Sequence, residues 1–125
     1  MKELSIYLFS GAVPAATEIL RKHGVGGLAY YEIYCAGRTR RHEIPELIFQ
    51  GARAYQTGRR IIPAFEKRAK IETFVPDSSV EEIVNDLIGS IGSGTEPSGM
   101  VFVKEVSEAY EIGSKQCGEA ILTTK

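Results

Sequence analysis

Hydrophobic spacing divides the chain into segments of two periods. Residues 3–9, ELSIYLF, alternate and carry large apolar side chains, which predicts a strand from Glu3 to Phe9. GAVPAATEILRKHG follows, and Val13, Ala16, Ile19 and Leu20 fall on one helical face. Pro14 suits the first helical turn, Gly24 the position just past the end, and His23 the C-terminal end of the dipole. GLAYYEIYCA is aromatic and β-branched, a second strand. From Gly37 to about Pro63 neither period holds, which predicts a long irregular excursion. KIETFVP, Lys70 to Pro76, is a third strand stopped by proline. In DSSVEEIVNDLIGSIGS, residues Val80, Ile83, Val84, Leu87, Ile88 and Ile91 recur at helical spacing and predict a helix whose stripe is core. Ser79 with Glu82, or Ser78 with Glu81, is spaced as a capping box at its start. GSGTEPSG reads as a loop and MVFVKEV as a fourth strand. The tail holds a glycine-bearing turn and the short apolar run AIL.

The predicted order is β-α-β-loop-β-α-β, the ferredoxin-like arrangement of the α+β class. Four strands form an antiparallel sheet with both helices on one face. The second face carries Tyr7, Phe9, Tyr31, Phe74 and Phe102. A sheet with two apolar faces and one helical layer needs a second cover, and oligomerisation through the sheets supplies it. A length of 125 residues fits one domain spanning residues 1–125. No apolar run approaches the ~20 residues that span a bilayer, so membrane insertion is not expected. The N-terminal stretch does not read as a signal peptide, because Ser5, Ser10, Gly11 and Pro14 break its apolar run and Glu3 lies in the n-region. Cys35 and Cys117 form no CxxC or Cys/His spacing, so no metal site is expected and a reduced, cytoplasmic protein is.

The net charge is −1, unevenly spread. Gly37 to Lys70 holds nine Lys or Arg against three Glu, while the remainder holds six basic and thirteen acidic residues. The basic segment opens with CAGRTRRHEI, which places Arg38, Arg40, Arg41 and His42 within five residues at the end of the second strand. Such a cluster is ordinarily a solvated loop. It is too local to make a nucleic-acid-binding domain, and no aromatics are interleaved with GRTRRHEIPE for stacking on RNA bases. His23 and His42 are the only histidines. No nucleophile, base and orienter stand out together, so an enzyme is not the first reading.

The order and spacing of several pieces resemble the PII signal-transduction family and its PII-like relatives. The pieces are GVGGLAYYEI, AGR (Ala36 to Arg38), IFQGARAY, KRAKIETFVPDSSVEEIVNDLI, SGMVFVKEVSEAYEI and CGEAIL. The resemblance implies a ferredoxin-like homotrimer with a T-loop at about 37–66, a B-loop at about 92–99 and a C-terminal loop at about 113–119, arranged around a nucleotide site between subunits. It implies that Gly37, Arg38 and Thr39 lie at the T-loop base near phosphate, and that Gly27 and Leu28 lie near base and ribose. It further implies that Glu72 and Phe74 line the adenine pocket and that Ser93, Gly94, Ser98, Gly99 and Met100 belong to the phosphate-cradling B-loop. A glycine-rich nest of backbone N–H groups suits that task.

The departures from the family pattern redirect the expectation. Met100 stands where the family has a lysine, and Glu111 and Gly113 stand where it has arginines. Three cations that would hold a triphosphate are missing, and Lys115 replaces only part of that charge. Thr39 replaces the glutamine used with Mg-ATP and 2-oxoglutarate, and Arg68 replaces the lysine that pairs with 2-oxoglutarate. Tyr55 is shifted by one from the tyrosine that some members uridylylate. The expectation is therefore a non-enzymatic regulator that has no cofactor and binds AMP or ADP in preference to ATP. Bicarbonate is its candidate second ligand, at Arg40, Arg41 and Arg68, as in carboxysome-associated PII-like proteins. It would control an unknown target protein, a transporter or an enzyme, through the T-loop. The alternatives are the ATP and 2-oxoglutarate nitrogen regulator, a small ferredoxin-like oligomeric enzyme, and a CutA-like metal-binding trimer.

Overall fold

The computed structural model describes residues 1–50, 53–92 and 99–123, with side chains described for 1–36, 65–92 and 99–123. The chain divides into two compact units, Met1–Ile33 with Arg68–Lys125, and Tyr34–Lys67.

The first unit is built on β1 (Lys2–Leu8), α1 (Val13–Lys22), the start of β2 (Leu28–Gln50), the end of β3 (Arg53–Val75), α2 (Val80–Ile91) and β4 (Gly99–Glu105). The strand order is β2-β3-β1-β4, with β1 antiparallel to both β3 and β4. This is the ferredoxin-like arrangement that the hydrophobic pattern predicts. Strand alternation sends Leu4, Ile6 and Leu8 of β1 and Ala69, Ile71, Thr73 and Val75 of β3 to one face, where all are buried. Ala16, Ile19 and Leu20 of α1 and Ile83 and Leu87 of α2 cover that face. Each leucine, isoleucine or valine so buried contributes on the order of 1.5–3 kcal/mol. His23 caps α1, and its Nε2 lies 2.6 Å from Asp86 Oδ2 of α2, which joins the two helices at that end. Gly24 follows with φ +73°, as the sequence requires of the residue past a helix end.

Four expectations are corrected. β1 ends at Leu8, and Phe9 instead opens a 3-10 turn at Ser10–Ala12, so its ring is not part of the sheet. No capping box forms at α2. A 3-10 turn at Asp77–Ser79 precedes the helix, which leaves Ser79 at φ −93°, ψ −14°. A cap whose side chain accepts from the first turn needs an extended backbone, and Ser79 does not have one. The α2 stripe is not all core either, because Ile88 is 63% exposed. Finally, the segment from Gly37 to Pro63 is not an irregular loop. β2 continues to Gln50 and β3 begins at Arg53, so Arg38 to His42 lie within β2 rather than beyond its end. These limbs make up most of the second unit, Tyr34–Lys67. Antiparallel pairing satisfies N–H and C=O groups whatever the side chains are, so such limbs need none of the alternation that marks a half-buried strand.

Candidate functional site

The face of the sheet away from the helices is a grid set by register. Across β3, β1 and β4 its rows are Phe74, Glu3 and Lys104, then Glu72, Ser5 and Phe102, then Lys70, Tyr7 and Met100. Alternation puts Glu72 and Phe74 here because the intervening Thr73 belongs to the core. Phe74 and Phe102 are exposed, and the Phe102 ring meets Tyr7 edge-on at 5.7 Å. Lys70 Nζ lies 5.6 Å from the centroid of Tyr7, 5.7 Å from that of Tyr31 and 3.7 Å from Glu72 Oε2. A cation so held over two rings stiffens the middle of this face and fixes the Glu72 carboxylate beside it. Ser5, at the centre, is buried, and its hydroxyl has no hydrogen-bond partner among the described residues.

The residues expected to contact a nucleotide fall in two groups. Gly27 and Leu28 enter β2 at the end of the sheet where Glu72 and Phe74 lie. The Gly27 carbonyl accepts a 2.6 Å hydrogen bond from Thr73 Oγ1. That group offers an exposed ring, a carboxylate and a backbone turn, which can stack on a base and accept from an exocyclic amine. Gly99 and Met100 open β4, Gly99 opposite Leu8 and Met100 in the row of Lys70 and Tyr7. At about 3.3 Å per residue and 4.8 Å between strands, Met100 lies on the order of 12–16 Å from Glu72 and Phe74. One chain therefore brings Gly27 and Leu28 together with Glu72 and Phe74, but does not bring Met100 beside them. Met100 is exposed and lines an apolar cavity of about 320 Å³ with Leu87, Ile88 and Val101. Arg68 is half-buried in β3. Gly37, Arg38, Thr39, Arg40 and Arg41 lie in β2, and their side chains are outside the described residues, as are Ser93, Gly94 and Ser98 altogether.

The C-terminal loop is a small hairpin. Tyr110 bridges Cys117, Glu111 N–H donates to Gln116 O at 2.8 Å, and Lys115 N–H donates to Glu111 O at 3.0 Å. Glu111, Gly113 and Lys115 are exposed on it, and Ile112 is 97% exposed. Cys35 and Cys117 are free thiols. Among the described residues no group of three His, Cys, Asp or Glu could hold a metal ion, and no helix is long and apolar enough to cross a membrane. Sequence reasoning missed three features: Thr73, Lys70 between its two tyrosines, and the unpaired Ser5 hydroxyl. Only Thr73 left a signal, a hydroxyl in an otherwise apolar row.

The family model for nitrogen regulatory protein P-II matches residues 1–116. A curated nitrogen regulatory protein P-II from Rhodobacter capsulatus is 24% identical over 119 residues, covering 95% of this chain and 97% of its own. The solved structure of B. subtilis GlnK matches with a TM-score of 0.69 at 19% identity, covering 97% of both chains, a likeness of fold.

Proposed function

The chain belongs to the nitrogen regulatory protein P-II family, and we propose that it is a homotrimeric signalling protein that binds AMP or ADP in preference to ATP in clefts between subunits. The observation that carries the reading is the separation of the two groups on one chain. Gly27, Leu28, Glu72 and Phe74 make a base-binding half-site, and Gly99 and Met100 begin a phosphate-side half-site, with Met100 on the order of 12–16 Å away. A site that closes when copies assemble joins one half to the other. The open sheet face supports such assembly, with Phe74, Phe102 and Met100 exposed.

The nucleotide preference follows from charge. A charge-assisted hydrogen bond contributes roughly 1.5–3 kcal/mol. Met100 and Gly113 supply none, and the exposed Glu111 carboxylate repels added phosphate. Lys115, two residues beyond Gly113, offsets one charge at most. Bicarbonate is the second ligand on this reading, held by Arg40, Arg41 and Arg68, because planar guanidinium forks match carboxylate-like anions. The protein works in the cytoplasm as a regulator rather than an enzyme. The segment at 37–66 docks on a target, a transporter or an enzyme, when the ligand favours one of its states over another.

Calorimetric titration of AMP, ADP and ATP, each with and without bicarbonate and with 2-oxoglutarate plus Mg²⁺, tests the reading. AMP or ADP binding more tightly than ATP supports it, and a gain with bicarbonate supports the second ligand. Tight ATP binding that depends on 2-oxoglutarate replaces it with the ATP and 2-oxoglutarate regulator. No nucleotide binding removes it.

A further inference from the structure

Thr73 does not match its row. Ala69, Ile71, Thr73 and Val75 of β3 face the helices, and each is 0% exposed. Valine has nearly the shape of threonine and would leave no polar atom in the core. A buried hydroxyl is costly unless it is paired. The Thr73 hydroxyl is paired, donating to the Gly27 carbonyl at 2.6 Å. The residues around Gly27 are fixed as well. Gly24 N–H donates to Arg21 O at 3.0 Å and Val25 N–H to Leu20 O at 3.1 Å, closing the end of α1. Gly26 N–H donates to Leu122 O at 2.9 Å, and Val25 bridges Thr123. A Cβ on Gly26 would lie 3.0 Å from Leu122 O, so the C-terminal segment sits directly on this turn. A Cβ on Gly27 would meet nothing within 4 Å. The backbone of Gly27 is thus pinned from beneath and open on its outer side.

We propose that Thr73 is a positioning residue: it fixes the Gly27–Leu28 peptide so that its open edge, with Glu72 and Phe74 from the neighbouring positions of β3, reads the six-position of a bound purine. The inference rests on the nucleotide reading above. Thr73 does not itself touch the ligand. It holds the turn whose carbonyl and amide would otherwise be free to rotate, and it makes base discrimination depend on the β3 register.

The test uses Thr73→Val and Thr73→Ser in the full chain, with AMP and inosine monophosphate as probes. The second probe carries an oxygen in place of the six-amino group. Hydrogen exchange at Val25 to Leu28 reads the turn directly. Thr73→Val is expected to speed that exchange, to weaken AMP by about tenfold, as loss of ~1.4 kcal/mol would, and to bring the ratio of AMP to inosine monophosphate affinity towards one. Thr73→Ser, which keeps the hydroxyl, is expected to restore the ratio. A purely structural threonine would lower the melting temperature and leave the ratio unchanged. If Thr73→Val does not fold, Thr73→Ala removes the same hydroxyl with no added bulk. AMP binding by the variant within about twofold of wild type, with the ratio intact, overturns the inference alone. A wild-type protein that binds no nucleotide overturns the functional reading and the positioning role with it.

Discussion

Gly99 begins β4 opposite Leu8, with φ +156°. A Cβ there would lie 2.0 Å from the Tyr7 carbonyl oxygen and 3.1 Å from Leu8 Cα. Carbon and carbonyl oxygen approach to about 3.3 Å even in close strand contacts. The obstacle is backbone, so no rotamer change relieves it. Gly99→Ala must part β1 from β4 at the Leu8–Gly99 and Tyr7–Met100 rungs. About two backbone hydrogen bonds at roughly 0.5–1.5 kcal/mol each, with backbone strain of about 1–3 kcal/mol, give a loss on the order of 2–6 kcal/mol. For a chain of this length that lowers Tm by roughly 8–24 °C. Gly89 in α2 is the control, because a Cβ there meets nothing within 4 Å. Gly89→Ala removes the same unfolded-state freedom and is expected to raise Tm by a few degrees, as helix propensity dictates. Circular-dichroism melts at one protein concentration compare the two. If Gly99→Ala melts within about 2 °C of Gly89→Ala, the close approach of β4 to Tyr7 is not a feature of the folded protein.

Three further outcomes are expected. Ile83 is 0% exposed between α2 and the sheet, so Ile83→Ala should lower stability by about 2–5 kcal/mol in urea unfolding with the slope unchanged; a loss near zero would show that α2 does not pack there. The Arg21 guanidinium hydrogen-bonded to Glu18 holds the Glu18 carboxyl below its ordinary value. A carboxylate with a depressed folded pKa contributes stability above its unfolded pKa and loses that contribution as pH falls through the folded one. The small Tm difference between wild type and Glu18→Gln should therefore be present at neutral pH and close in acid, and a difference independent of pH would contradict the pairing. Arg38→Ala should weaken nucleotide binding in calorimetry with the assembly unchanged by sedimentation; loss of the assembly would make Arg38 structural.

The architecture was legible because two periods are hard to confuse over this many residues. Leu4, Ile6 and Leu8 repeat every second residue, and Val80, Ile83 and Leu87 every third or fourth. Burial then followed for most of them. Ile88 kept the period and lost the burial, and lines the open apolar cavity with Leu87 and Val101 instead. The pattern also failed on Gly37 to Pro63, where β2 and β3 run on without alternation. Pairing of backbone with backbone leaves no trace in hydrophobic spacing, although LIF and RRII in that segment carry ordinary strand propensity.

The candidate site was legible by the same measure, one face at a time. Alternation alone puts Glu72 and Phe74 together and Thr73 opposite. It does not say which rung of β1 or β4 lies beside them, so the row joining Glu72, Ser5 and Phe102 and the distance to Met100 had to come from register. Thr73 is the instructive case. A threonine between Ile71 and Val75 in the core phase of a strand is already a statement that some buried acceptor awaits its hydroxyl. The sequence contains that demand without its answer. The answer lies 46 residues earlier, at Gly27, because β2 enters the sheet beside β3 and brings its first carbonyl under the hydroxyl. Polar residues in apolar rows are thus places where a sequence shows that a long-range contact exists before it shows with what. In this chain that contact leads to the turn at Gly27, the position that the family resemblance implies lies near base and ribose.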